Sequence, residues 1–106
     1  MKRFLFLLIT ILAVTASGGV ISSTGQLSQL GNGWGGEGYY FTVNGASNGC
    51  SSVNRFVIPI GFAEFKDTVA NVMIAYTQKL TVRVDANGCL SGGTNGAAVV
   101  VGVTLP

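Results

Sequence analysis

One segment of this 106-residue chain changes the period of its apolar residues, and that change limits the folds open to it. Along FAEFKDTVANVMIAYTQK, the residues Phe62, Phe65, Val69, Val72, Met73 and Tyr76 recur at helical steps, while Glu64, Lys66, Asp67, Asn71 and Gln78 fall mostly off that stripe. This is the pattern of an amphipathic helix. Glu64 and Asp67 stand in its first turns and Lys79 near its end, as the helix dipole favours.

The other signals are for strands. GGVISSTGQLSQL (18–30) reads as one long strand, bent or bulged at Gly25, because glycine inside a strand often marks such a place. YYFTV (39–43) is aromatic and β-branched, and two Asn-Gly pairs in NGASNG turn the chain after it. RFVIPI (55–60) is a third strand; Pro59 lacks an N–H, so the strand lies at an edge or ends there. After the helix, LTVRVD alternates with Leu80, Val82 and Val84 on one face, ANGC turns the chain, SGGTNG is a loop, and AAVVVGVTL (97–105) is the last strand.

The order β-β-β-α-β-β predicts a mainly β fold with one helix, an OB-fold-like five-stranded barrel. A meandering α+β sheet is the alternative. In the barrel, the start of strand three and the end of strand four share one end. Cys50 lies just before the former and Cys89 just after the latter, so this topology brings both to a place where they can be bridged.

The amino terminus reads as a processing segment. Lys2 and Arg3 precede the apolar run Phe4–Val14, and Val14 and Ala16 suit the positions before a cleavage site. Residues 1–17 are expected to be a secretory signal peptide cut near Ala16, leaving 18–106 as a single domain, secreted or periplasmic. The alternative is a membrane anchor, but the apolar run is about half of the roughly 20 residues a spanning helix needs. No membrane span is expected after the signal is removed. In an oxidising compartment two cysteines predict the disulfide Cys50–Cys89, which closes a loop of about 40 residues and stabilises by roughly 4 kcal/mol in the chain-entropy model. Free thiols or an intermolecular bridge are the other reading.

Without residues 1–17 the charges balance: Arg55, Lys66, Lys79 and Arg83 against Glu37, Glu64, Asp67 and Asp85. Nucleic acid and anionic membranes attract a net positive surface, which this domain lacks. The chain has no histidine. His-containing zinc sites and nucleophile–histidine pairs are excluded by composition, and nothing places two carboxylates across a cleft as a glycosidase requires. The expectation is a protein that is not an enzyme and takes no cofactor and no metal.

The stretch GNGWGGEGYYF matches G-x-G-x-x-G at Gly31, Gly33 and Gly36. A dinucleotide loop of that spelling opens a helix, whereas a strand follows here, so the match is rejected on context. Trp34, Glu37, Tyr39, Tyr40 and Asn44 are instead the candidate ligand contacts. OB-folds bind on the face of strands two and three beside the first loop, and an aromatic with neighbouring polar groups stacks on a sugar. Tyr39 and Tyr40 point to opposite faces, so one joins the core and the other faces outward. The competing reading folds Trp34 over the barrel end and packs a tyrosine in an oligomer interface. The helix carries a second apolar edge, Ala63, Ala70, Ile74 and Ala75, which reads as a subunit interface or as ordinary packing.

With GVI opening strand one, YYFTVNG, Cys50 in NGCSS, the helix AEFKDTVANVMIAYTQK, the strand LTVRV and Cys89 in NGC, the chain resembles the B-subunit family of subtilase-type and pertussis-like bacterial toxins. The resemblance spans Gly19 to about Leu105. It implies an OB-fold, a homo-oligomer that is a pentamer in toxins, and recognition of a glycan, with a protein partner as the alternative. The chain starts almost at strand one and its fourth strand ends in RVD with no aromatic, so no sugar-contact residue is carried over. A self-assembling protein of the cell envelope without a ligand is the alternative function.

Overall fold

The computed structural model of the protein describes residues 19–32, 37–90 and 96–106. The expected signal segment, Trp34 and most of the SGGTNG loop lie outside the described residues. Five strands and a helix follow in the expected order: β1 (Val20–Asn32), β2 (Gly38–Val43), β3 (Arg55–Pro59), α1 (Phe65–Gln78), β4 (Thr81–Cys89) and β5 (Ala98–Thr104). The strands close into a ring, β1-β2-β3-β5-β4, and β4 pairs back onto β1. β3 and β5 run parallel and the other neighbours antiparallel. This is the OB-type barrel order that the sequence predicts.

β1 makes the closure possible by serving two partners. Val20–Gln26 pairs with β4 and Leu27–Asn32 pairs with β2. At the handover the chain passes very close to the end of β2. A Cβ on Gly25 would lie 2.5 Å from the carbonyl oxygen of Asn44 and 2.9 Å from Val43 Cγ1. Glycine is required there by close approach. The register irregularity itself falls between Leu27 and Gln29, so Ser28 is the extra residue and the bulge sits three residues beyond the glycine where the sequence suggested it.

β3 ends at Pro59, one of the two outcomes that the missing N–H allows, and it is an interior strand with β2 and β5 on its two sides. One further strand reading changes. ANGC is not a turn: β4 runs on through Cys89, with irregular pairing to β5 after Asp85. Bulges let a short strand curve enough to close a small barrel while still pairing on both edges.

Inward positions alternate as period-two strands demand. Leu27, Phe41, Val43, Phe56, Ile58, Val82, Val84, Ala86 and Val100 are buried in one cluster. Phe41 and Phe56 face each other across β2 and β3, with ring centroids 5.5 Å apart and planes 14° from parallel. Burying such a ring stabilises by about 1.5–3 kcal/mol.

Helix α1 lies against β1, β3 and β5. Its buried stripe is Thr68, Val72 and Ala75, flanked by the half-buried Phe65 and Val69. Met73 and Tyr76, expected on that stripe, are exposed by 44% and 43%. The buried face keeps Phe65, Val69 and Val72 of the expected stripe and adds Thr68 and Ala75, whereas Ala63, Ala70 and Ile74 of the second apolar edge are exposed. The helix ends at Lys79, which adopts the left-handed conformation (φ 56°) while Leu80 N–H donates to Ala75 O at 2.9 Å. The Gln26 amide donates to Lys79 O at 3.0 Å and ties this end to β1.

Cys50 and Cys89 form the expected disulfide, with Cα atoms 5.8 Å apart and a sequence separation of 39. It fastens the β2–β3 connection to the end of β4. Among the described residues no helix is long and apolar enough to cross a membrane.

Candidate functional site

The outer face of β1, β2 and β3 carries a polar row set by strand register. Gln29 is opposite Thr42, and Thr42 is opposite Arg55, so the three residues align straight across three strands. The next row is Gly31, Tyr40 and Val57. A cleft of about 80 Å³ lies between these rows, lined by Gln29, Gly31, Tyr40, Thr42 and Arg55. The bulge at Ser28 creates this arrangement. Leu27 points inward, and one extra residue returns Gln29 to the outer face beside Thr42. Bulges re-aim side chains in this way. Ser28 also fixes its neighbour, since Ser28 Oγ and Thr42 Oγ1 share a hydrogen bond of 2.5 Å.

Tyr40 forms one wall. It lies on the outer side of β2, yet it is only 5% exposed. Val57, Ala97, Leu90 and Val99 pack around it as a second, smaller apolar cluster outside the barrel. Leu90 N–H donates to Ala97 O at 2.9 Å and closes the β4–β5 connection beside this cluster. The Tyr40 hydroxyl donates to Glu37 Oε1 at 2.6 Å, so the one acid near the cleft is engaged with the tyrosine.

The five candidate contacts therefore separate. Glu37 and Tyr40 form a bonded pair beside the cleft. Tyr39 points the other way and packs, half-buried, against the barrel core. Neither tyrosine presents an open stacking face of the kind expected for the outward member of the pair. Asn44 is exposed in the turn after β2, roughly 20 Å along the strand from Glu37. Its N–H donates to Gln26 O at 2.8 Å. Trp34 lies outside the described residues. Gln29, Thr42 and Arg55 escaped the sequence reading. Alternation along YYFTV places Thr42 on the side of Tyr40, which was a usable signal; the position of Gln29 depends on the bulge.

A second polar cluster occupies the outer face of β1 and β4. Ser22 and Asp85 are register partners, and the Ser22 hydroxyl donates to Asp85 Oδ1 at 2.5 Å. Arg83 Nε pairs with the same oxygen at 3.1 Å. The Ser22 hydrogen bond, chief among these effects, holds the Asp85 carboxyl below its ordinary pKa; burial opposes it, and the Arg83 hydrogen bond and charge reinforce it. Among the described residues no three His, Cys, Asp or Glu side chains come together as a metal group would require.

The chain matches no protein-family model, no curated protein and no solved structure.

Proposed function

We propose that the protein is a small exported binding module, of the kind that toxin B subunits represent, which recognises a glycan on the outer face of β1, β2 and β3 and does no chemistry on it. The observation that carries this reading is the cleft that Gln29, Thr42 and Arg55 line beside a braced tyrosine. OB-type barrels bind oligosaccharides on this side of the sheet, and sugar hydroxyls pair with such donor–acceptor sets. The test is a glycan array probed with oxidised protein lacking residues 1–17. Binding to a defined glycan set that Thr42→Val weakens supports the reading; silence across the array removes its glycan part.

Self-association is a second reading, favoured by one observation. Met73, Ile74 and Tyr76 are 44%, 45% and 43% exposed on a helix whose other side already covers the barrel. A homo-oligomer would bury them. Light scattering after chromatography tests this directly. A protein that stays monomeric at high concentration removes both the oligomeric module and the envelope-assembly alternative, whereas an oligomer that Ile74→Lys dissociates supports this face as the contact.

A further inference from the structure

We infer that the Asn44–Gly45 pair after β2 is a self-modification site, at which the chain converts Asn44 through a cyclic imide to isoaspartate and aspartate. This goes beyond the binding-module reading and does not depend on it.

Five of the seven asparagines precede a glycine, which has no side chain to shield its nitrogen. Three of these pairs lie wholly among the described residues, and the fold treats them differently. Asn48 is 3% exposed, and its side chain is bonded to Cys50 N–H, Ser52 O and Arg55 O. It cannot turn toward the Gly49 nitrogen without giving up these bonds. Asn87 is exposed, but it lies within β4 and is paired with Val20. An extended backbone carries the next N–H away from the preceding side chain, so the ladder must open before Gly88 can react. Asn44 has neither restraint. It is exposed in the turn, and no side-chain hydrogen bond holds it among the described residues. Its own N–H, bonded to Gln26 O at 2.8 Å, is not the group that reacts. The reacting nitrogen belongs to Gly45, which is also exposed, with φ 75° and no atom within 4 Å of where a Cβ would stand. The turn therefore leaves room for a ring.

The chemistry needs only water and solvent base. The Gly45 nitrogen loses its proton and attacks Asn44 Cγ, and the side-chain amide leaves as ammonia. Water then opens the imide at one of its two carbonyls. Opening at Cγ gives aspartate on the normal backbone. Opening at the former main-chain carbon gives isoaspartate, in which the backbone runs through Cβ and Cγ and the old Asn44 carbonyl has become a carboxylate. Either product adds one negative charge to a domain whose charges otherwise balance. The fold makes the second product consequential. The Asn44 carbonyl is the group that Gly25 abuts, 2.5 Å from a Cβ placed on that glycine. Isoaspartate sets a charge there, and it lengthens the turn that Ala46 N–H closes onto Val43 O at 3.3 Å. β1 is thereby disturbed where it passes from β4 to β2.

The test is incubation of the oxidised protein lacking residues 1–17 at mildly alkaline pH, with peptide mass spectrometry of each pair over time. The reduced chain in guanidinium chloride supplies each pair's unprotected rate. Asn44 is expected to react in the fold at close to its unprotected rate, while Asn48 and Asn87 slow by about tenfold or more. Asn44→Asp carries the charge without the added backbone atom and serves as the reference. The isoaspartyl form, separated by ion exchange, should melt below Asn44→Asp and shift the amides of Gly25 and Gln26. Protection of Asn44 equal to that of Asn48 overturns the site, as does reaction of Asn48 or Asn87 ahead of Asn44 in the folded protein. An isoaspartyl form that matches Asn44→Asp in melting and in those amide shifts overturns the coupling to Gly25 and β1.

Discussion

The side-chain carbonyl of Asn48 accepts the backbone N–H of Cys50 at 2.8 Å. The amide of the same residue donates to Ser52 O at 3.0 Å and Arg55 O at 2.8 Å. One side chain, 3% exposed, thus shapes the connection that presents Cys50 to Cys89 and sets the start of β3. Asn48→Ala leaves these backbone groups without that partner. The expected loss is about 2–4 kcal/mol, from more than one buried group at the usual penalty. Urea unfolding of the oxidised protein measures it, and Asn48→Asp, which sets a carboxylate oxygen against the Ser52 and Arg55 carbonyls, should lose at least as much at neutral pH.

Asp85 makes stability depend on pH. Its carboxyl titrates lower when folded than when unfolded, because Ser22 and Arg83 favour the charged form over the opposing effect of burial. Such a group contributes fully above its unfolded pKa, and the contribution is lost as pH falls through the folded one. The melting temperature should therefore drop below about pH 4. Asp85→Asn should be less stable than the parent at neutral pH, with the gap closing in acid. A gap that stays constant from pH 7 to pH 2 would contradict this assignment.

Ser23 places a hydroxyl inside the barrel opposite Val84. Its Oγ is buried and has no hydrogen-bond partner among the described residues. An unpaired buried polar group costs about 1–3 kcal/mol, while the atom removed is small. Ser23→Ala should stabilise the protein by about 1 kcal/mol, seen as a higher urea midpoint with an unchanged slope.

Lys79 holds the left-handed position that ends α1. A side chain there meets the steric penalty that makes glycine the usual helix terminator. Lys79→Gly should gain about 0.5–1 kcal/mol, provided Gln26 keeps its bond to the residue-79 carbonyl. Thermal melting checks the gain, and the amide shift of Gln26 checks the bond.

These positions also mark what the sequence could reveal. The barrel was legible because its signals are local: the change of period at Phe62, the β-branched runs, and cysteines placed beside strands three and four. The ring order then follows from few choices. The helix face was misjudged because Met73 and Ala75 both extend apolar stripes, and only packing against β1, β3 and β5 decides between them. The candidate site was half legible. Tyr40 lines the cleft and Glu37 is bonded to it, but the cover over Tyr40 comes from Leu90 and Ala97, some fifty residues away. Gln29 was out of reach because Ser28 offers no local sign that it is the extra residue.

The two partners of β1 fix an order of events for a growing chain. Its second half can zip to β2 as soon as Val43 is available, whereas Ser22 waits for Asp85, 63 residues later. Until then the first half of β1 is a bare edge carrying Val20 and Ile21, the kind of template that other chains can join. Late, long-range pairing of this sort is slow. Ring closure is therefore the step at which a crowded synthesis compartment competes with the native fold, and a chain cut short before β4 would retain that open edge indefinitely.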